Sequence, residues 1–183
     1  MKHVLVALLR GINVGRAKRI AMADLRDLVE SLGYREVRTL LNSGNVVFAS
    51  ASGEPRTAGL RIEKALSGRL GVSARVTILA RAELAEVVAD NPFGKIATNP
   101  SRYLVAFFPD PAAARKLVPL LKERWEPEAI EIGRRVAYVW CPESILESPL
   151  FEGIGRIAKD GVTTRNWATV TKLHALALGE PAA

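Results

Sequence analysis

The sequence predicts an α+β protein built from two tandem βαββαβ units of the ferredoxin-like type. Three observations carry that expectation. Short valine- and leucine-rich runs alternate with segments whose apolar residues recur at helical spacing. Two hairpin signals, "NSGN" at 42–45 and "GR" at 133–134, join paired runs. After the loop "DNPFGKIATNPS" at 90–101 the element order starts again. The units are expected at residues 1–90, which include a linking helix, and at 101–183, with the last strand of the second unit short or missing.

Each element follows from its residues. His3 to Leu9 is a continuous apolar run, the mark of a strand buried on both faces. Met22 to Leu32 sets Met22, Leu25, Leu28, Val29 and Leu32 on one helical face, and Gly33 stops it. Glu36 to Leu41 and Asn45 to Ala49 flank the first hairpin. A helix near Arg56 to Leu70 buries Ile62, Ala65, Leu66 and Leu70, and Ser73 to Leu79 is the fourth strand. Arg81 to Ala89 is the linking helix, with Glu83 and Glu86 on its exposed face. In the second half Tyr103 to Phe108 is a strand. Asp110 and Pro111 then form a helix start, as cap and first helical residue. Pro119 ends or kinks that helix early. Strands at Glu128 to Ile132 and Arg135 to Cys141 flank the second hairpin. A helix at Pro149 to Ala158 and a turn at Asp160-Gly161 follow. The last helix runs from about Asn166 to Leu178 and stops at Gly179.

Composition removes several functions. The chain has 183 residues, enough to bury roughly 70% of its unfolded surface without a metal or disulfide staple. One cysteine, Cys141, excludes an internal disulfide and any cysteine-rich zinc site, and its run "RVAYVWC" makes it a small buried hydrophobe. His3 and His174 stand alone, so neither a metal site nor a histidine triad is read, and no cofactor is expected. The N-terminal apolar run is too short to span a membrane and lacks a cleavage site, which points to the cytoplasm and to no membrane partner. The net charge of +7 favours anionic partners, though it is scattered.

The binding candidates lie at two places. In a βαββαβ unit the first and third strands are antiparallel neighbours, so the end of the first, Arg10, meets the start of the third, Asn45. Arg10, Asn13, Lys18, Arg19, Asn42, Ser43 and Asn45 then share one polar sheet edge, where the Met22 helix also opens. The connection from Gly11 to Ala21 spans eleven residues, where about two to six are usual. Gly11, Gly15 and the helix start could offer amides to an anion. The plainer reading is that the glycines only supply positive φ and the cations form a solvated rim. No P-loop or dinucleotide fingerprint is present. The second place is "TTRNW", where Thr163, Thr164 or Asn166 caps the last helix and Arg165 stands where an anion would meet free amides, with capping as the plainer role. Trp167 is expected to pack with Val170 and Leu173. Base stacking of the RNA-recognition kind is not supported on the first sheet, whose central strands offer only Phe48.

The runs "ALLRGINVG", "SGNVVF" and "TTRNW" in this order resemble a bacterial domain-of-unknown-function family, numbered 1697. The resemblance implies two ferredoxin-like subdomains and implies no activity, cofactor or catalytic residue. Members often have a second glycine where Arg16 stands, glutamine at Asn42 and proline at Ala21. Three functions compete. The first is binding of an anionic, phosphate-bearing ligand, a nucleotide or nucleic acid, at the Arg10 edge. The second is a small-molecule enzyme with an anionic substrate in the cleft between the halves, although no general base falls within the motifs. The third is a protein-interaction or structural module whose motifs only specify the fold. Oligomeric state is not legible.

Overall fold

The computed structural model describes residues 2–13 and 19–180. Among these it has a mixed α/β architecture of two four-stranded antiparallel sheets and six α-helices. By contacts the chain divides into two compact units, one of Met1–Ala85 with Leu173–Ala183 and one of Glu86–Lys172. No helix among the described residues is long and apolar enough to cross a membrane.

The first unit contains β1 (His3–Leu9), α1 (Met22–Ser31), β2 (Arg35–Leu40), β3 (Asn45–Ser50), α2 (Pro55–Ala65) and β4 (Val76–Ala80). The sheet order is β2-β3-β1-β4. The central strand β1 is buried on both faces, which is why its sequence is apolar without alternation. Leu5, Ala7 and Leu9 pack with Val46, Phe48 and Ile78 into the core shared with Leu25, Leu28 and Val29 of α1 and Ile62 of α2. Val6, Leu8, Val47 and Leu79, on the opposite face, are buried as well. Two boundaries differ from expectation. The second helix gives way at Leu66 to a π-helical turn through Leu70 that ends on Gly71 at φ 62°, and the looser turn carries Leu66 and Leu70 toward the same core. Strand β4 begins at Val76 rather than Ser73, because its register on β1 ends with Leu9 opposite Val76. The segment Leu173–Ala183 adds a further contact: Arg38 on β2 donates to the carbonyl of Leu176 at 2.6 Å, a carbonyl near the end of the last helix that also accepts the Gly179 amide at 3.1 Å.

Between the sheets in sequence runs α3 (Arg81–Ala89), whose Glu83 is not simply an outward residue: its carboxylate accepts the Ala80 amide at 2.9 Å. The second unit contains β5 (Tyr103–Phe107), α4 (Pro111–Arg115), β6 (Ala129–Ile132), β7 (Val136–Trp140), α5 (Pro149–Ala158) and β8 (Thr163–Asn166). Its sheet order is β6-β7-β5-β8. Asp110 caps α4 by accepting the Ala113 amide at 2.8 Å, and Ser148 caps α5 through Phe151 at 2.9 Å. The helix α4 is over by Arg115, and Pro119 lies in the 3-10 turn that follows. Residues 163–166 are a four-residue strand paired to β5, so the last strand is short but present. The final helix, α6 (Trp167–Leu178), starts where that strand ends.

One face of the second sheet, with Leu104, Ala106, Val139 and Cys141, packs on Leu117, Leu150 and Ile154. Burial raises the Cys141 thiol above its ordinary value, in keeping with a packing role. The other face carries Tyr103 and Tyr138. Trp167 stacks on Tyr103 with ring centres 4.9 Å apart, a partner that local helical spacing did not reveal. Val170 and Leu173 are buried as expected. The Tyr103 hydroxyl donates to the Asn91 side chain at 2.8 Å, and the Tyr138 hydroxyl donates to the Val87 carbonyl at 2.9 Å.

Burial raises the Tyr138 phenol to about 12 and the Tyr103 phenol higher still, with Asp90 adding to the first and Tyr138 to the second. Below pH 10, the ordinary phenol value, both groups are neutral in folded and unfolded chains and stability is intact. Above it the unfolded chain loses its protons first, so stability falls as pH rises toward 12. The melting temperature is expected to drop over that interval. Native protein at about pH 11 should show less tyrosinate absorbance than protein unfolded in urea.

Candidate functional site

The C-terminal end of β1 and the turn between β2 and β3 meet at one sheet edge, as the strand order requires. Leu8 pairs with Asn45, and the Leu9 amide donates to the Gly44 carbonyl at 2.8 Å. On the other side, the amide of Arg10 donates to the Arg75 carbonyl at 2.9 Å. Gly44 is the closest point of the junction. Its φ is 77°, and a Cβ there would lie 2.7 Å from both Ile12 Cδ1 and Leu9 Cβ. Only glycine meets both the backbone angle and the approach.

Asn13 ties the junction together. Its Nδ2 donates to the carbonyls of Ile20 at 3.0 Å and Asn42 at 2.8 Å, while its Oδ1 accepts the Ile20 amide at 2.7 Å. The residue has φ 57°, a conformation that asparagine tolerates better than most side chains. Ile12 and Ile20 are both buried, so the chain that leaves the sheet at Asn13 returns at Ile20 on apolar anchors. Asn45 does a similar job within the hairpin. It is 0% exposed, and its Nδ2 donates to the Leu40 carbonyl and to Ser43 Oγ, each at 2.9 Å.

The family model matches residues 1–138, from β1 through the middle of β7. The chain belongs to the family described as "Protein of unknown function (DUF1697)". The match includes "ALLRGINVG" and "SGNVVF" and ends before "TTRNW". The chain of a structure described as that of conserved bacterial protein SP0830 from Streptococcus pneumoniae shares this fold with a TM-score of 0.75. The two are 18% identical, and the likeness covers 97% of this chain and 99% of that one. No curated protein matches the chain.

In this DUF1697 member the first group of candidates falls into two sets. Asn13, Ser43 and Asn45 spend side-chain atoms on the edge itself. Arg10 is half-buried, and Arg19 and Asn42 are exposed. Lys18 lies outside the described residues. Arg75 was not expected at the edge, although the pairing of β4 with β1 is the signal that would have placed it beside Arg10. Its guanidinium is exposed and 3.7 Å from Glu63, a contact weak at the surface. The first 23 residues hold Lys2, Arg10, Arg16, Lys18 and Arg19 and no aspartate or glutamate. The described groups at the edge are amides, a hydroxyl and guanidinium groups. These groups do not accept protons at neutral pH.

The second group sits on β8 and the start of α6. Arg165 is 9% exposed and donates to Thr163 Oγ1 at 3.0 Å and the Thr164 carbonyl at 2.8 Å. Burial pushes its guanidinium down to about 10, so it stays charged at neutral pH. Of the three residues considered as caps for the last helix, Asn166 is the one that serves. Its Oδ1 accepts the Thr169 amide at 2.9 Å and the Thr169 hydroxyl at 2.7 Å. Thr163 and Thr164 belong to the strand. Among the described residues no group of three histidine, cysteine, aspartate or glutamate side chains could hold a metal ion.

Two substitutions test the junction. Asn13→Ala removes three hydrogen bonds and leaves part-buried backbone groups unsatisfied, so it should cost about 2 kcal/mol in urea unfolding. Gly44→Ala adds a Cβ at a positive φ against Leu9 and Ile12 and should cost about 3 kcal/mol in the same measurement.

Proposed function

We propose that the edge formed by the Arg10 loop and the 42–45 hairpin binds an anionic, phosphate-bearing ligand. One observation carries the reading: the Asn13 carboxamide joins the two ends of a segment, 14–19, whose six residues "VGRAKR" include three cations. Closing such a segment at its base lowers the entropy lost when its side chains gather round a ligand. Arg10 follows the end of β1 and Arg75 precedes the start of β4, joined by the hydrogen bond from the Arg10 amide to the Arg75 carbonyl. Several cations about one short loop suit a multiply charged group better than a single carboxylate, which needs only one.

We also read each unit as a ferredoxin-like βαββαβ module. The strand orders β2-β3-β1-β4 and β6-β7-β5-β8, each with one helix before and one after its hairpin, support this. In that reading the Arg10 edge is where the central strand of the first module ends.

A second reading has its own support. The inward hydrogen bonds of Asn13 and Asn45 favour a motif whose work is to specify the fold. The two readings part on the cations. Binding of fluorescent polyphosphate or single-stranded RNA should weaken linearly on a log–log plot against salt, with a slope of about −0.7 per phosphate contacted for single strands. Lys18→Ala and Arg19→Ala should each reduce that slope by about one contact and leave the melting temperature unchanged. Binding that ignores salt, or survives the double variant intact, would leave the fold-specifying reading in its place.

A further inference from the structure

Within the second unit, residues 123–147 hold six glutamates against three arginines, in a chain whose net charge is +7. Two cavities, of about 250 and about 290 Å³, open there and share Trp125, Glu126 and Glu128 as a common wall. The larger continues along the start of β6, at Ala129 and Ile130, and has Arg124 in its lining. The smaller is lined by Pro127, Pro142 and Pro149 together with Glu143 and Glu147. Among the described residues no lysine or arginine lines it.

Trp125 is fixed in place. Its Nε1 donates to the Leu120 carbonyl at 2.7 Å, and its ring packs against the core of the second sheet while still lining both cavities. Glu128 is held as well, because its Oε2 accepts the Leu150 amide at 3.2 Å. None of Glu126, Glu128, Glu143 and Glu147 makes an ion pair among the described residues. Carboxylates gathered round one cavity repel each other, and a cation between them removes that repulsion. β6 supplies an independent feature. It is an outer strand, with β7 beside it in the sheet order. Along its other side the backbone N–H and C=O groups of Ala129–Ile132 have no hydrogen-bond partner among the described residues. An open edge of this kind is a template for an added strand.

We propose that this groove docks an extended, basic segment of another protein, added alongside β6 with a lysine or arginine laid on Trp125 between the carboxylates. Charge complementarity selects the cations, and the open edge selects an extended chain. A fixed aromatic ring beside carboxylates suits an ammonium or guanidinium group on an apolar stem. Side chains alternate along an added strand, so basic residues two apart face the groove together. A free polyamine would use the carboxylates and leave the edge open. A second copy pairing through its own β6 would bring Glu131 and the other glutamates against like charges.

Fluorescence anisotropy of three labelled decapeptides with the full chain tests the docking. One alternates lysine and threonine, one alternates glutamate and threonine, and one is the lysine peptide with alternate backbone nitrogens methylated. The lysine peptide should bind with an affinity that falls as salt rises, and the glutamate peptide should not bind. The carboxylates of Glu126, Glu143 and Glu147 bond to nothing among the described residues. Glu126→Gln, Glu143→Gln and Glu147→Gln should each weaken the lysine peptide about threefold and together about tenfold or more, with the melting temperature unchanged. Methylation of the peptide backbone should weaken it about tenfold. Glu30→Gln, on the first unit, should change nothing. The proposal is overturned if the glutamine variants leave binding intact, or if Glu30→Gln weakens it as much. Equal binding of the methylated peptide, or equal binding of spermine, would reduce the groove to a site for free amines and overturn the docked strand. A dimer that the lysine peptide dissociates would put a second copy in the groove and overturn the partner.

Discussion

The first unit is organised around one carboxamide. Asn13 receives the chain as it leaves the central strand and holds it against two other backbone segments, at Ile20 and at Asn42. An amide serves here where a hydroxyl or carboxylate does not. It offers two donors to the two carbonyls and an acceptor to the Ile20 amide, all from one planar group. Asn13 itself has a left-handed backbone, and Gly44 lets the hairpin lie close enough to be reached. What the edge presents to solvent then depends on what that amide has already satisfied.

The two units share an element order and use their polar residues differently. In the first, the carboxamides of Asn13 and Asn45 hold the backbone of the edge while Arg19 and Arg75 stay exposed. In the second, the charged residue of note is drawn inward: Arg165 is bonded to its own strand through Thr163 and Thr164. The aromatic residues follow a similar contrast. Tyr103 and Tyr138 stand on the central strands β5 and β7, where an RNA-recognition module would expose rings for stacking. Here the rings are buried and their hydroxyls are spent on Asn91 and Val87, with Trp167 occupying the face of Tyr103. That platform is already filled by the protein's own side chains.

Much of this arrangement was legible in the sequence because it depends on local periodicity. The unbroken apolar run of β1, the glycine after α1 and the Asp110-Pro111 start of α4 each state their structure within a few residues. The pairing of β1 with β3 follows from element order alone and brings Arg10 near Asn45. What escaped depends on distant partners. Thr163 to Asn166 has no apolar run, and it is a strand because β5 supplies the other half of the ladder. Trp167 faces Tyr103, which helical spacing does not name. The inward use of Asn13 and Asn45 was also hidden. Sequence places an amide at an edge but does not say whether its hydrogens point to a ligand or to the backbone.

The contact between Arg38 and the Leu176 carbonyl belongs to a unit assembled from both ends of the polypeptide. A ribosome that has made residues up to Ala85 has not yet made the segment from Leu173 onward that this unit includes. At about 5–20 residues per second, the intervening stretch delays that segment by several seconds. During that interval the nascent first sheet lacks one of its own packing partners, while the second unit, which is continuous, is completed at Lys172, before that partner is made.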